Sequence, residues 1–268
     1  MDARPIGVFD SGVGGLSILQ ALRAELPQEH YVYVADSGHA PYGERDPAHV
    51  IARSQAIATH LVQRHGIKLL VVACNTATAA AIQQLRQQWP QLPIVGVEPA
   101  LKPATRHTRS GRVGVLATRG TLASAKFQAL LASLQDQAHF ALQPCDGLAD
   151  AIERQDLPAI DALAARYIAA LSAGAGEPPG AIDTLVLGCT HYPLARAQLQ
   201  ALAGPAVTLI DSGAPVAQQA RRLLQAGPGL APPGPGRVEL LSSGHPERLQ
   251  AMARAALGLQ APVLALPD

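Results

Sequence analysis

The sequence predicts an α/β protein of two similar domains, each a mostly parallel sheet flanked by helices. Three observations predict it. Apolar strand-like runs alternate with helical patterns, an order that specifies parallel sheets covered by helices. Segments of the first half resemble segments of the second, and 268 residues suffice for two modest domains. We therefore expect two domains related by a pseudo-twofold axis, with the site in the cleft between them.

Nine short apolar runs have the length and the Val, Ile and Leu content of buried strands. They are Pro5–Phe9, Tyr31–Ala35, Leu69–Ala73, Ile94–Val97, Arg112–Ala117, Ala138–Leu142, Thr184–Leu187, Val207–Ile210 and Val238–Leu241. Helical patterns separate them at Pro47–Arg64, Ala77–Gln88, Thr121–Leu134, Leu157–Ala173, Leu194–Ala203 and Ala214–Gln225. Asp46 and Pro47 are suited to the cap and first position of the first of these helices.

The internal repeat predicts the domain boundaries. IGVFDSGVGGLS at 6–17 resembles VGVLATRGTLAS at 113–124, and VVACNTAT at 71–78 resembles LVLGCTHYP at 185–193. IVGVEPA at 94–100 likewise resembles TLIDSGAPVA at 208–217. About fifty residues follow the last repeated element, including a Pro/Gly-rich loop at 227–236 and one more strand and helix. We expect them to rejoin the first domain, which then comprises 1–98 plus 212–268, with 99–211 as the second.

Composition narrows the class of partner. The net charge is +1 and aromatic residues make up 3%, so neither an anionic membrane nor a nucleic acid is an expected partner. No apolar stretch reaches the length of a membrane span. The amino terminus, MDARPIGVFD, has an acid at position 2 and no long apolar core, unlike a signal peptide. These features predict a cytoplasmic protein.

Cys74 and Cys189 are the strongest candidates for chemistry. Each follows an apolar run and a small residue and precedes polar residues, which places it just beyond the carboxyl end of a strand, where α/β sheets bind ligands. A helix that begins there stabilises a thiolate. Two matched thiols suit a reaction on both faces of one carbon. Cys145 lacks this context and is interpreted as a buried structural residue.

Two further segments follow predicted strands. In DSGVGGLS at 10–17, the glycines permit a tight turn that brings backbone N–H groups toward a ligand, and Asp10 and Ser11 supply polar side chains. The spacing is not that of a dinucleotide-binding motif. In ADSGHAPYGERD at 35–46, turn-forming residues predict a surface loop at the same sheet edge, with Pro41, Tyr42 and Gly43 as site candidates.

Proton carriers are available beside both thiols. Asp10 could hold a proton for Cys74, and His191, two residues after Cys189, could do so for that thiol. The three lysines do not follow predicted strands, so a pyridoxal Schiff base is poorly supported. No cluster has metal-ligand spacing. We expect no cofactor and no metal.

In this order and spacing, DSGVGGLS, PYG, ACNTAT and GCTHYP resemble the glutamate racemases of the cofactor-independent aspartate/glutamate racemase superfamily. The resemblance extends from about Ile6 to Gly244. It implies a two-base mechanism in which Cys74 is the base for D-glutamate and Cys189 the base for L-glutamate, assisted by Asp10 and His191. It implies further that the substrate is held by residues matching the family's binding positions: Asp10, Ser11, Pro41, Tyr42, Gly43, Asn75, Thr76, Thr118, Thr121, Thr190 and His191. It also implies D-glutamate supply for peptidoglycan synthesis and a homodimer.

The sequence departs from the family pattern at CDGLADAIE, 145–153, where Asp146 and Gly147 replace a proline and an apolar residue. Glu153 keeps the spacing of the family's acid near the site, and the resemblance makes it a candidate catalytic residue. A solvated helix face is an equally good interpretation of it.

Three other functions remain open. An aspartate racemase or another α-carbon racemase is disfavoured by DSGVGGLS together with PYG. A cofactor-free decarboxylase of the malonate type uses a single cysteine, whereas this chain has both Cys74 and Cys189. A two-lobed ligand-binding module is usually exported, and this chain shows no signal peptide.

Overall fold

A computed structural model describes residues 1–173 and 181–266. The chain forms two compact units, one of residues 1–97 with 213–268 and one of residues 98–212. The strands in the described ranges are β1 (Ile6–Asp10), β2 (Tyr31–Ala35), β3 (Leu69–Val72), β4 (Ile94–Gly96), β5 (Arg112–Ala117), β6 (His139–Pro144), β7 (Thr184–Leu187), β8 (Thr208–Ile210), β9 (Val238–Ser242) and β10 (Val263–Ala265).

The helices in the same ranges are α1 (Leu16–Glu25), α2 (Pro47–His65), α3 (Asn75–Gln88), α4 (Leu101–His107), α5 (Arg119–Ala123), α6 (Ala125–Ala132), α7 (Leu148–Glu153), α8 (Leu157–Ala173), α9 (Arg196–Ala203), α10 (Gly213–Ala226) and α11 (Pro246–Leu257). Short 3-10 turns occur at Tyr42–Glu44 and Tyr192–Ala195. None of the helices in the described part of the chain combines the length and the apolar character needed to cross a membrane.

Each unit contains one parallel sheet, and the two sheets have a common strand order. The first runs β10-β9-β2-β1-β3-β4 and the second β6-β5-β7-β8. The order β2-β1-β3-β4 therefore corresponds to β6-β5-β7-β8. The repeated sequence segments lie on corresponding strands: β1 with β5, β3 with β7, and β4 with β8. The prediction of two similar α/β units with parallel sheets is confirmed.

Both sheets bury apolar side chains beneath helices. In the first unit, Ile57 and Leu61 of α2 and Leu85 of α3 pack on Phe9 and Val72 of the sheet. In the second unit, α7, α8 and α9 cover one face of the sheet, and α4 and α6 cover the other. Fully burying one such side chain stabilises the fold by about 1.5–3 kcal/mol. The layers thus hold the strand ends in fixed positions.

The structure differs from the sequence prediction in a few elements. The nine predicted strands are all present with ends shifted by at most two residues, and β10 is an additional edge strand. The helix predicted at Thr121–Leu134 is two helices, because Ser124 ends α5 and its side chain accepts the Phe127 N–H to cap α6. The helix predicted at Leu194–Ala203 begins instead as the 3-10 turn Tyr192–Ala195, where Pro193 lies in the first turn.

Candidate active site

The predicted site residues lie at the carboxyl ends of the strands, in one set on each sheet. In the first sheet Asp10 is opposite Ala35 and Phe9 is opposite Val72, so β1, β2 and β3 end at nearly the same level. In the second sheet Leu116 is opposite Leu187. The carboxyl edge of a parallel sheet is where α/β proteins bind ligands.

Asp10 is fixed by the glycine turn that follows it. Its side chain is fully buried, and Oδ2 accepts the N–H of Gly15 at 2.8 Å and that of Gly12 at 3.3 Å. The Tyr33 hydroxyl donates to the Gly12 carbonyl at 2.7 Å. A Cβ at Gly15 would lie 2.7 Å from the Asp10 Cβ, so only glycine permits this close approach. The turn therefore sets the position of the carboxylate.

Cys74 lies two residues beyond β3 and is the N-cap residue of α3. The Ala77 N–H points at its sulfur, with N and Sγ 3.5 Å apart, and Sγ lies 3.9 Å from Ser11 Oγ. Both the thiol and Ser11 are 5% exposed. An N–H donor at a helix N-terminus favours the thiolate over the thiol. This local geometry suits Cys74 to act as a base.

Asn75 and Thr76 form the first turn of α3 beside Cys74, and both side chains are buried. Asn75 Nδ2 donates to the Val97 carbonyl at 3.3 Å, which joins α3 to the segment after β4. That bond fixes the amide and directs its orientation. Asn75 therefore presents its amide in a fixed position at the same edge as Cys74, and Thr76 lies in the same buried turn.

The loop after β2 brings Tyr42 to this edge through a residue that the sequence analysis missed. Tyr42 is 1% exposed, and its hydroxyl donates to Asp36 Oδ2 at 2.5 Å. Asp36 also receives two hydrogen bonds from Arg53 of α2. Its position, an acid directly after a strand, was the available sequence signal. Pro41 and Gly43, on either side of Tyr42, are partly exposed.

The contacts of Asp36 and Tyr42 determine the protonation state of each side chain. Burial by itself would raise the pKa of Asp36, but the hydrogen bonds from Arg53 and Tyr42 outweigh it and the pKa lies below its usual value. Burial and the Asp36 charge raise the pKa of Tyr42. The carboxylate is therefore ionised and the phenol is neutral.

Cys189 lies two residues beyond the end of β7, which is the same position that Cys74 has relative to β3 in the first unit. Gly188 N–H donates to the Leu116 carbonyl at 2.7 Å, and a Cβ at Gly188 would lie 2.8 Å from that oxygen. Cys189 is 6% exposed, and its carbonyl accepts the Tyr192 N–H at 3.1 Å. Close backbone packing at glycine thus positions this thiol.

His191 connects Cys189 to Glu153. Its Nδ1 lies 3.8 Å from Cys189 Sγ, and its Nε2 lies 2.8 Å from Glu153 Oε2. Both side chains are buried. Of the two sequence interpretations of Glu153, the solvated helix face is therefore wrong, because this carboxylate at the end of α7 is turned inward onto the imidazole.

Thr118 and Thr121 lie at the carboxyl end of β5 and are bonded to each other. Thr118 is the N-cap of α5, and its Oγ1 accepts the Thr121 N–H at 3.2 Å and donates to Thr121 Oγ1 at 2.9 Å. Thr190, adjacent to Cys189, is 4% exposed. All three hydroxyl groups therefore lie at the carboxyl edge of the second sheet.

Cys145 has a different environment from the other two cysteines. It follows β6, is 2% exposed, and its Sγ lies 3.4 Å from the Gln143 carbonyl, to which it donates. Burial raises the pKa of this thiol far above its usual value. Cys145 therefore stays protonated, in agreement with a structural role. Over the described ranges, no group of three or more His, Cys, Asp or Glu side chains has a geometry suited to a metal ion.

Comparison with known proteins gives a consistent result. Residues 16–220 match the family model for Asp/Glu/hydantoin racemases. The chain is 50% identical over 261 residues to the glutamate racemase of Ectopseudomonas mendocina, covering 97% of each chain, and 46% identical over 252 residues to that of Pseudomonas aeruginosa, covering 93% of this chain and 92% of the other.

Solved structures agree with the sequence relatives. A glutamate racemase isoform from Bacillus anthracis superimposes with a TM-score of 0.86 at 30% identity, covering 100% of this chain and 98% of the other. The Escherichia coli glutamate racemase, in complex with L-glutamate and the activator UDP-MurNAc-Ala, gives 0.83 at 33% identity, covering 99% and 100%.

Proposed function

The chain belongs to the Asp/Glu/hydantoin racemase family, and on that basis we propose that it interconverts L-glutamate and D-glutamate without pyridoxal phosphate. Its relatives at about 50% identity are glutamate racemases. The observation that carries the proposal is that Cys74 and Cys189 follow corresponding strands, β3 and β7, of two sheets with a common strand order. One thiol on each repeat is what a two-base reaction requires.

In the proposed reaction, the Cys74 thiolate removes the α-proton of D-glutamate while the Cys189 thiol delivers a proton to the opposite face of the α-carbon. The product is L-glutamate, and the two thiols have exchanged protonation states. Racemisation of L-glutamate runs through the same steps in reverse. No oxidant, reductant or leaving group is needed.

Different groups support the two thiols. The Cys74 thiolate is stabilised by the Ala77 N–H, and Asp10 assists this side. On the other side, His191 lies beside Cys189 and assists its proton transfer, and Glu153 holds the imidazole. We assign catalytic roles to Cys74, Cys189, Asp10, His191 and Glu153.

The α-proton of an amino acid is a weak acid and a thiolate is a mild base, so the developing carbanion needs fixed donors and a site that excludes water. Ser11, Asn75 and Thr190 are buried and held at strand ends, which supports such a role. We assign substrate binding to the polar and loop residues at the two sheet edges: Asp10, Ser11, Pro41, Tyr42, Gly43, Asn75, Thr76, Thr118, Thr121, Thr190 and His191.

The decisive experiment follows deuterium at the α-carbon. L-Glutamate is incubated with enzyme in deuterated buffer without added cofactor, and both enantiomers are recovered at low conversion. If the two bases do not exchange protons with each other, the D-glutamate formed carries deuterium at the α-carbon. The remaining L-glutamate keeps its hydrogen. Cys74→Ser and Cys189→Ser should each lose racemisation, whereas Cys145→Ser, the matched control at the third cysteine, should keep it.

Other outcomes identify the competing functions. Exchange of aspartate or another amino acid, with glutamate untouched, would retain the racemase reaction and overturn the substrate. Loss of CO₂ from a malonate would indicate the decarboxylase. Glutamate binding that survives loss of both Cys74 and Cys189, with no exchange in wild type, would indicate a binding module.

The biological role follows from the product. D-Glutamate is a peptidoglycan component, so the enzyme serves cell-wall biogenesis and the maintenance of cell shape. We place it in the cytoplasm, because the reaction requires both thiols reduced. We further propose a homodimer, as the family resemblance implies. Light scattering of the purified enzyme across a concentration series tests this point.

A further inference from the structure

We propose that Asp36 and Arg53 are positioning residues that hold the Pro41–Gly43 loop in place for the substrate, an inference that rests on the proposed function. Asp36 is fully buried and collects the polar groups around it. Tyr42 Oη donates to Oδ2 at 2.5 Å, Arg53 Nε donates to Oδ2 at 3.0 Å and Nη2 to Oδ1 at 2.9 Å, and His39 Nδ1 lies 3.0 Å from Oδ1.

The backbone of Asp36 connects the same loop to the predicted catalytic acid. Its N–H donates to the Asp10 carbonyl at 2.9 Å, and its carbonyl accepts the His39 N–H at 2.9 Å. Asp36 follows β2 directly, and Ala35 is opposite Asp10 in the sheet register. One residue therefore relates the position of Tyr42 to the position of Asp10.

Arg53 ties this network to a rigid element. Its guanidinium binds both carboxylate oxygens in a fork that an ammonium group cannot reproduce. The helix that carries it, α2, packs on the sheet through Ile57 and Leu61. The start of α2 is fixed as well, since Asp46 Oδ1 accepts the Ala48 N–H at 2.7 Å. The loop is therefore held from β2 on one side and from α2 on the other.

The network also determines what Tyr42 can offer a substrate. Its phenol is neutral and donates its hydroxyl proton to the ionised Asp36, so that proton is not available for a hydrogen bond to the substrate. The backbone groups of Pro41 and Gly43, which are partly exposed, remain for substrate contact. Asp36 and Arg53 do not need to touch the substrate, because they act through Tyr42.

A double-mutant cycle tests this relationship. Steady-state kinetics with glutamate are compared for wild type, Arg53→Gln, Tyr42→Phe and the double variant. We expect each single change to raise KM by about tenfold and to lower kcat by a smaller factor. The KM of the double variant should be no higher than that of the more impaired single variant, because both changes release the same loop. Arg53→Lys should recover only part of the loss. Arg64→Gln, an exposed arginine on the same helix, is the matched control and should leave KM unchanged.

The alternative outcomes are distinct. If the effects of Arg53→Gln and Tyr42→Phe multiply, Arg53 does not act through Tyr42 and the positioning role is wrong. If Arg53→Gln lowers the unfolding midpoint and leaves KM unchanged, the network is structural only. If Arg53→Gln does not fold, the same cycle is run with Arg53→Lys. A wild type that racemises no glutamate overturns the proposed function together with this inference.

Discussion

The imidazole of His191 is held between a thiol and a carboxylate: Nδ1 lies 3.8 Å from Cys189 Sγ, and Nε2 lies 2.8 Å from Glu153 Oε2. With the Nε2 proton donated to Glu153, Nδ1 carries the lone pair that can receive a proton from Cys189. The carboxylate also stabilises the imidazolium that forms. In the proposed mechanism, Glu153 therefore sets both the tautomer and the orientation of the ring.

We expect Glu153→Gln to reduce kcat/KM, because the amide can donate to Nε2 and so favour the wrong tautomer. The loss should be about ten- to hundredfold, below the full contribution of a general base. The equilibrium constant of a racemisation is one, so kcat/KM must fall equally in both directions. The deuterium isotope effect with L-[2-²H]glutamate should increase as proton removal at Cys189 becomes slower.

The matched control for Glu153 is Asp150→Asn. Asp150 is a partly exposed acid on the same short helix, and its carboxylate pairs with Arg154. It should leave both kcat/KM and the isotope effect unchanged. Equal kinetics for Glu153→Gln and wild type would mean that His191 needs no carboxylate partner.

Gly15→Ala should impair both folding and activity. The added methyl group would lie 2.7 Å from the Asp10 Cβ and 2.9 Å from the Tyr33 hydroxyl, neither of which can move without disturbing the turn. We expect a loss of about 1–3 kcal/mol in the free energy of unfolding from overpacking. As Asp10 is displaced, kcat/KM should fall as well. Urea denaturation and steady-state kinetics measure the two effects.

Gly227→Ala provides the comparison for Gly15, because the only close atom among those described is the Leu223 carbonyl oxygen at 3.3 Å. It should change unfolding and kinetics little. Full activity in a folded Gly15→Ala variant would show that catalysis does not require the present position of Asp10.

A buried ion pair lies in the first unit at the amino edge of its sheet, opposite the strand ends that carry the predicted site residues. Lys68 and Glu29 precede β3 and β2, their side chains are fully buried, and Nζ lies 2.7 Å from Oε2. Lys68→Met leaves Glu29 without its cation and should reduce the free energy of unfolding by about 3–5 kcal/mol. The double variant that combines Lys68→Met with Glu29→Gln should recover part of this lost free energy of unfolding, since the amide oxygen can still accept the Ala231 N–H.

Urea denaturation of wild type, the single variant and the double variant measures this coupling. Activity at a temperature where each variant is folded should equal that of wild type, because the pair lies away from the carboxyl edge. A double variant less stable than Lys68→Met would contradict the argument.

The sequence predicted the elements that depend on local pattern. The positions of Cys74 and Cys189 beyond strands follow from the apolar runs before them, and these runs are buried on both faces as parallel strands require. Contacts between distant side chains were not predictable, because they depend on helix placement. Glu153 and His191 are 38 positions apart, and Asp36 and Arg53 are 17 apart. The edge strand Val263–Ala265 escaped prediction because it is short and mostly exposed.

Asp183, before β7, should make the stability of the second unit depend on pH. Its carboxylate accepts hydrogen bonds from Thr108 Oγ1 at 2.6 Å and from the N–H groups of Arg109 and Ser110, each at 2.7 Å. Burial by itself would raise its pKa, but these bonds lower the pKa from 3.8 to about 2. Because the pKa is lower in the folded state, the stabilisation is present above pH 3.8 and is lost as the pH falls toward 2.

Asp183→Asn should therefore reduce the free energy of unfolding at neutral pH by about 1–3 kcal/mol, the contribution of hydrogen bonds to a charged group. The difference from wild type should narrow as the pH falls below 3.8 toward 2, because Asp183 then takes up a proton on unfolding and the advantage of its charge in the folded state is lost. Asp161→Asn, an exposed acid on α8, is the control and should differ little from wild type at any pH. Urea denaturation at each pH measures the free energy of unfolding of both variants. If Asp183→Asn is less stable than wild type by the same amount at every pH down to 3, the carboxylate charge does not stabilise this loop.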